Sequence, residues 1–262
     1  MEHHMDPLIV CYHAKTIKRA AAYIKSRKNV ILGVDRTFDV SKYFLTTLTL
    51  SFDNFVDPEN GTSPTMSLAY LLHTKATAKY YVRFFQKIKE ALEDASLALD
   101  ENPTLNFQTT GPEFDLYEGT EEMNVAKYSI GSDQERAILK AAKLVFPSSK
   151  HILCTLHLKK NALSNFAIKA RTTAAERYQL MHDIYDMKRG LIASKTEESF
   201  DLQLNTILEE YAERDDVVKY LKLATNEVKE FAVVPFLYQN RQQAWTNNGC
   251  ESVNCILKKM TN

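Results

Sequence analysis

The chain has 262 residues, with 33 Lys plus Arg against 33 Asp plus Glu, 45% apolar and 10% aromatic residues. This argues against disordered and fibrous classes and leaves one large domain or two small ones. A net charge of zero excludes a protein that coats nucleic acid by bulk attraction, so any nucleic-acid role has to come from a local patch. Cysteines at 11, 154, 250 and 255 are too few and too uneven for a disulfide framework, which suits a reducing compartment.

In chain order, residues 15–27 space Ile17, Ala20, Ala21 and Ile24 as one face of an amphipathic helix, so 1–28 reads as a helical lead-in. The period then changes. Asn29–Val34 is a short apolar run and Tyr43–Phe52 is rich in β-branched and aromatic residues, which predicts two strands flanking a turn-like Asp35–Lys42. A third strand, Met66–His73, follows the turn-forming Asn60-Gly61-Thr62-Ser63-Pro64. A helix is expected over 77–98, then an acidic loop over 100–123, a strand over 125–131, a helix over 134–145 and a strand over 150–155. From 158 to 235 every periodic segment is helical, and a last helix starts near Asn248-Gly249. The core is therefore expected over 29–157 and 236–262, with the helical insertion at 158–235 between its parts.

Three acids fall at the ends of these elements: Asp35 after the first core strand, Asp133 after the fourth, and Glu251 in the first turn of the last helix. Three antiparallel strands plus two added strands form an α/β mixed sheet of the ribonuclease-H-like kind, with flanking helices and the all-helical insertion placed before the last helix. In such a sheet those three carboxylates can meet. Clustered carboxylates repel unless a cation neutralises them, and hard oxygen ligands select magnesium or manganese. Two such ions ~3.5–4 Å apart can activate a water or hydroxyl and stabilise a leaving oxygen. Each acid taken alone reads first as a solvated surface group or a cap, and Asp133 and Glu251 lie near helix starts where a carboxylate is favourable anyway.

The surrounding residues resemble a family. Asp35-Arg36-Thr37-Phe38 after an apolar strand is similar to the first signature of Mutator-like (MULE) transposase domains, a branch of the DDE transposases. Ser132-Asp133-Gln134-Glu135-Arg136-Ala137, then Ala141 to Pro147, then His151-Ile152-Leu153-Cys154-Thr155-Leu156-His157 through Asn161 resembles the second. Thr246-Asn247-Asn248-Gly249-Cys250-Glu251-Ser252-Val253-Asn254 through Lys258 resembles the third. The resemblance implies Asp35, Asp133 and Glu251 as the metal-binding catalytic triad, two Mg2+ or Mn2+ ions, and strand cleavage and transfer at transposon ends. It implies DNA as the partner, both terminal inverted repeats and target, with a homodimer or higher assembly in the nucleus; no run approaches ~18 apolar residues, so no membrane span is expected and the location reads as cytosolic or nuclear. No C-x-x-C…H-x-H pattern precedes Asp35, so the chain reads as a catalytic core in which zinc is not expected. A domesticated, transposase-derived DNA-binding protein and a metal-dependent nuclease without strand transfer remain as alternatives.

Cys154 and His157 match a C-x-x-H pair of the family and read as structural or DNA-positioning residues ahead of metal ligands, since only His151 offers a local third, or else as a buried small hydrophobe and a capping group. Residues 150–177 carry Lys150, Lys159, Lys160, Lys169, Arg171 and Arg177 against Glu176 alone, a local net of +5. Lys150, Lys159 and Lys160, with Arg36 beside the first acid, are the candidate phosphate contacts, or a solvated helix face. Residues 90–135 run the other way, twelve acids against Lys127 alone, a net of −11. Asn247, Asn248 and Asn254 flank Glu251 and are expected to orient a carboxylate, contact the DNA backbone or cap the helix. Trp245, the only tryptophan, reads as core rather than as a base-stacking platform.

Overall fold

The computed structural model describes residues 7–27, 30–40, 43–52, 63–101, 128–237 and 245–261. The acidic loop predicted at 100–123 lies outside them from residue 102 onward. The chain divides into two compact units, one of residues 1–150 and 247–262 and the other of residues 151–246. The second unit thus extends beyond the 158–235 expected for the insertion at both ends.

The first unit begins with a correction. Leu8–Tyr12 is a strand, β1, rather than part of a helical lead-in, and it pairs antiparallel with a strand sixty residues on, Leu8 opposite His73 and Tyr12 opposite Ala69. The helix follows it as α1, Ala14–Ser26, whose buried residues are the four expected, Ile17, Ala20, Ala21 and Ile24. The antiparallel trio is β2 (Val30–Val40), β3 (Tyr43–Ser51) and β4 (Thr65–His73). After α2 (Ala78–Glu101), β5 (Tyr128–Ser132) adds parallel to β2, and α3 (Arg136–Val145) follows. These five strands stand in the order β1-β4-β3-β2-β5. The unit closes with α9, Asn248–Thr261, which returns to β2, β3 and β4.

The alternation of side chains along each strand sorts the two faces. Val30, Leu32 and Val34 of β2 and Leu48 and Leu50 of β3 join Tyr81, Phe84, Phe85, Ile138 and Ala142 in one buried cluster with α1, α2 and α3. Gly33 and Asp35 of β2 and Thr47 and Thr49 of β3 take the other face, under α9. Polar residues therefore occupy the sheet where the last helix lands.

That landing is close. A Cβ on Gly249 would come within 2.6 Å of the Thr65 Oγ1, and the buried Cys250 Sγ lies 2.9 Å from the Thr49 Oγ1. Gly249→Ala ought to gain from helix propensity, yet here it forces α9 outward or Thr65 aside, with an expected loss of about 1–3 kcal/mol. Thr65→Gly in the same chain should recover most of it, which urea denaturation of the two single variants and the double variant measures.

In the second unit, β6 (His151–Leu153) precedes a chain of helices. They are α4 (Thr155–Ser164), α5 (Ala174–Tyr185), α6 (Glu197–Glu210), α7 (Asp215–Val228) and α8 (Val234–Leu237). Thr173 with Glu176 and Thr196 with Ser199 form capping boxes that start α5 and α6. Single π-helical turns, Asn165–Lys169 and Lys229–Val233, extend α4 and α7. Phe166, Leu180, Ile184, Phe200, Val217, Leu221 and Val228 bury the apolar stripes of these helices.

Candidate active site

β2 does not end at Asp35. It runs on to Val40 because β3 continues to pair with it, Asp35 opposite Thr47 and Val40 opposite Tyr43, with a register shift between Thr37 and Val40. Parallel pairing does end there: the last partners of β2 and β5 are Val34 and Ser132. Asp35 and Asp133 are each the next residue. Adjacent strands run roughly 4.8 Å apart, so the backbone sets these two acids side by side where the sheet loses its parallel neighbour.

The third acid arrives by helix phase. Asn247, Cys250 and Asn254 recur at intervals of three and four residues, so one face of α9 presents all three to the sheet. Glu251 lies one residue around from that face and is exposed. The two asparagines hold Asp35 between them. Asn247 donates from Nδ2 to the Asp35 Oδ1 at 2.8 Å, and Asn254 donates from Nδ2 to Oδ2 at 2.6 Å. Thr47 in turn donates its hydroxyl to the Asn254 Oδ1 at 2.7 Å. Of the roles open to these amides in the sequence, orienting the carboxylate is the one the geometry displays for Asn247 and Asn254, while Asn248 is exposed.

Electrostatics ties the three acids together. Burial is the largest cause pushing the Asp35 carboxyl up, the negative charges of Asp133 and Glu251 push it further, and the two amide donors pull it back, leaving it at about 6 against an ordinary 3.8. A carboxylate in that field is one that a cation would stabilise, and three hard oxygen donors suit magnesium or manganese. Both Asp35 oxygens accept one amide hydrogen and retain a second lone pair. Among the described residues, no three His, Cys, Asp or Glu side chains converge closely enough to hold an ion.

Arg36 is not a freely exposed phosphate contact. Its guanidinium is largely covered, lies over the Phe44 ring at 4.9 Å and forms an ion pair with Glu135 at 2.8 Å. Glu135 also accepts a hydrogen bond from the buried Tyr81 hydroxyl at 2.8 Å, and its backbone N–H donates to the Asp133 Oδ1 at 3.0 Å. Burial raises the Glu135 carboxyl, against the pull of Tyr81 and Arg36. Sequence reasoning gave Glu135, Tyr81 and Thr47 no part in the site. The signal was the pairing of opposite charges, Arg36 next to one acid and Glu135 two residues from another.

Lys150 is exposed in the first unit, and in the second unit Lys159, Lys160, Lys169 and Arg171 are exposed along α4 and the segment after it. Arg171 takes a positive φ of 49°. Arg177 is half-buried and donates to the Thr172 carbonyl. Cys154 is fully buried at the start of α4, while His157 is half-buried and its Nδ1 meets no hydrogen-bond partner. Trp245 is half-buried, and its carbonyl accepts from the Thr155 N–H at 3.1 Å and hydroxyl at 3.0 Å.

Taken together, these observations define an α/β domain in which a carboxylate on β2, clamped by two amides, feels the charges of one acid just past β5 and one on α9. A family model described as transposase, Mutator family, matches residues 128–262, which include Asp133, Glu251 and both clamping asparagines. The chain belongs to the Mutator family of transposases. No curated protein matches it. No helix among the described residues is long and apolar enough to cross a membrane.

Proposed function

We propose that this chain is the ribonuclease-H-like catalytic core of a Mutator-like DDE DNA transposase, cleaving DNA strands at transposon ends and joining them to target DNA. The observation that carries the reading is the clamp of Asn247 and Asn254 on the Asp35 carboxylate, one residue past the last β2–β5 pair, with Asp133 the next residue after β5 and Glu251 on the helix that bears Asn254. Asp35, Asp133 and Glu251 do not converge on one point as their side chains stand, and to hold two Mg2+ or Mn2+ ions the exposed Glu251 would turn toward the other two. Bound there, the ions would supply the Lewis-acid charge that makes a water or 3′ hydroxyl nucleophilic and steadies the leaving oxygen. Asn247 and Asn254 would keep the Asp35 carboxylate in one orientation for that purpose. Lys150, Lys159, Lys160 and Asn248 would contact backbone phosphates, which gives affinity without sequence preference. A homodimer or larger assembly acting on paired ends in the nucleus fits this activity.

The test is cleavage and joining of terminal-inverted-repeat DNA in magnesium. Wild-type protein is expected to do both, and Asp133→Asn to lose at least ~1,000-fold of the rate while still binding DNA, since a ligand and its charge are removed together. Unchanged cleavage in Asp133→Asn would sink the triad. Cleavage without joining would assign a nuclease, and DNA binding with neither would assign a domesticated descendant.

A further inference from the structure

Asp35 on β2 and Asp133, the residue after β5, each lie one position beyond the last pair of the β2–β5 ladder, so that ladder alone does not fix their carboxylates. A side-chain bridge crosses the same gap. Arg36, next to Asp35, meets the Glu135 carboxylate at 2.8 Å, and Glu135, two residues past Asp133, returns its own N–H to the Asp133 Oδ1 at 3.0 Å. The bridge is anchored below. Tyr81, on α2 and fully buried, donates to the Glu135 Oε1 at 2.8 Å, and the Phe44 ring supports the guanidinium.

We infer that Glu135 is a positioning residue: ion-paired to Arg36, hydrogen-bonded by Tyr81 and donating its amide to Asp133, it holds the turn after β5 against β2 and so fixes the spacing of the two acids. This rests on the reading of Asp35 and Asp133 as metal ligands. A charged pair with side-chain exposures of 18% and 13% is a costly way to hold a turn if stability alone were served, since well-packed apolar residues do that as well or better. What the pair adds over apolar packing is a charge attraction specific to these two groups, Nε to Oε2 at 2.8 Å, in a covered setting where water screens it little. Groups that orient metal ligands typically change metal affinity by about 10- to 100-fold when removed.

The experiment uses the full chain and three readouts: Mn2+ binding by electron paramagnetic resonance, amide hydrogen exchange without metal, and melting temperature. Glu135→Ala is expected to weaken Mn2+ binding at least ~10-fold and to speed exchange of the amides of residues 133–136 at least ~10-fold relative to the rest of the sheet. The exchanged pair Arg36→Glu with Glu135→Arg should recover part of both. Folded Glu135→Ala protein that binds Mn2+ within about twofold of wild type would overturn the inference. Should wild type bind no Mn2+, the metal reading itself fails, and the exchange arm decides the bridge: unchanged exchange at 133–136 removes it. If Glu135→Ala does not fold, Glu135→Gln, which keeps an acceptor for Tyr81 but no charge for Arg36, carries the same comparison with smaller expected effects.

Discussion

Between pH 4 and pH 6 the metal-free protein should lose about 2 kcal/mol of stability through Asp35 alone, out of about 3 kcal/mol over the whole titration, because its carboxyl ionises at about 6 when folded and at an ordinary 3.8 when unfolded. In that window the folded state binds more protons than the unfolded one, so stability falls as pH rises; it is greatest below 3.8 and fully lost above the folded value. Carboxylates of the second unit act oppositely. Glu176, Asp186 and Asp216 are held below their ordinary range by hydrogen bonds to their ionised forms and contribute stability that appears as pH rises. The decisive quantity is therefore the difference between wild type and Asp35→Asn, from urea denaturation at steps between pH 3.5 and pH 7.5. Wild type should decline relative to Asp35→Asn as pH rises, and parallel curves would show that Asp35 ionises as an ordinary acid. Magnesium should reverse the sign at pH 7. It would stabilise wild type by mass action, since it binds only the ionised folded site, and would leave Asp35→Asn nearly unmoved.

That expectation was half legible in the sequence. The three acids stood out because each followed or opened an element whose period was strong, and β3, β4, α1, α2 and α9 begin or end within a few residues of the predicted bounds. β1 did not stand out, although Leu8-Ile9-Val10-Cys11-Tyr12 is an apolar, β-rich run. Its partner is β4, and pairing across sixty residues leaves no trace in a local period. For the same reason Asp35 looked like a strand end: nothing local says that β3 pairs on to Val40 while β5 stops at Ser132. The polar contacts around the acids were less legible still. Arg36 read as a phosphate contact because a basic residue beside a catalytic acid suggests one, and only the fold brings Glu135 and Tyr81 to it. Asn247 and Asn254 were visible as a pair seven residues apart, two turns of helix, but their target depended on which face of the sheet α9 covers.

Asn254 is where the helix phase and the electrostatics of the site meet, and its replacement by aspartate should be more damaging at pH 8 than its removal. The side chain is buried, donating to the Asp35 Oδ2 at 2.6 Å and accepting from the Thr47 hydroxyl at 2.7 Å. Asn254→Ala strips a carboxylate of one donor and a hydroxyl of its acceptor, an expected cost of about 2–4 kcal/mol. Asn254→Asp keeps the shape and the Thr47 contact but sets a second carboxyl against the first. Two carboxylates at that separation cannot both ionise cheaply, so they share a proton and the pair titrates high. The variant should therefore approach wild-type stability near pH 4, where one acid hydroxyl can donate in place of the amide. At pH 8 it should fall below Asn254→Ala, with a stability curve far steeper in pH than either parent. Cleavage in magnesium should fall sharply in Asn254→Ala, because Asp35 then keeps only the Asn247 donor. In Asn254→Asp a bound cation would offset part of the repulsion, so magnesium should raise its melting temperature more than it raises that of the alanine variant. Equal stability of the two variants across the whole pH range would mean that Asn254 contributes packing alone, and that the Asp35 carboxylate is oriented by Asn247 and the strand.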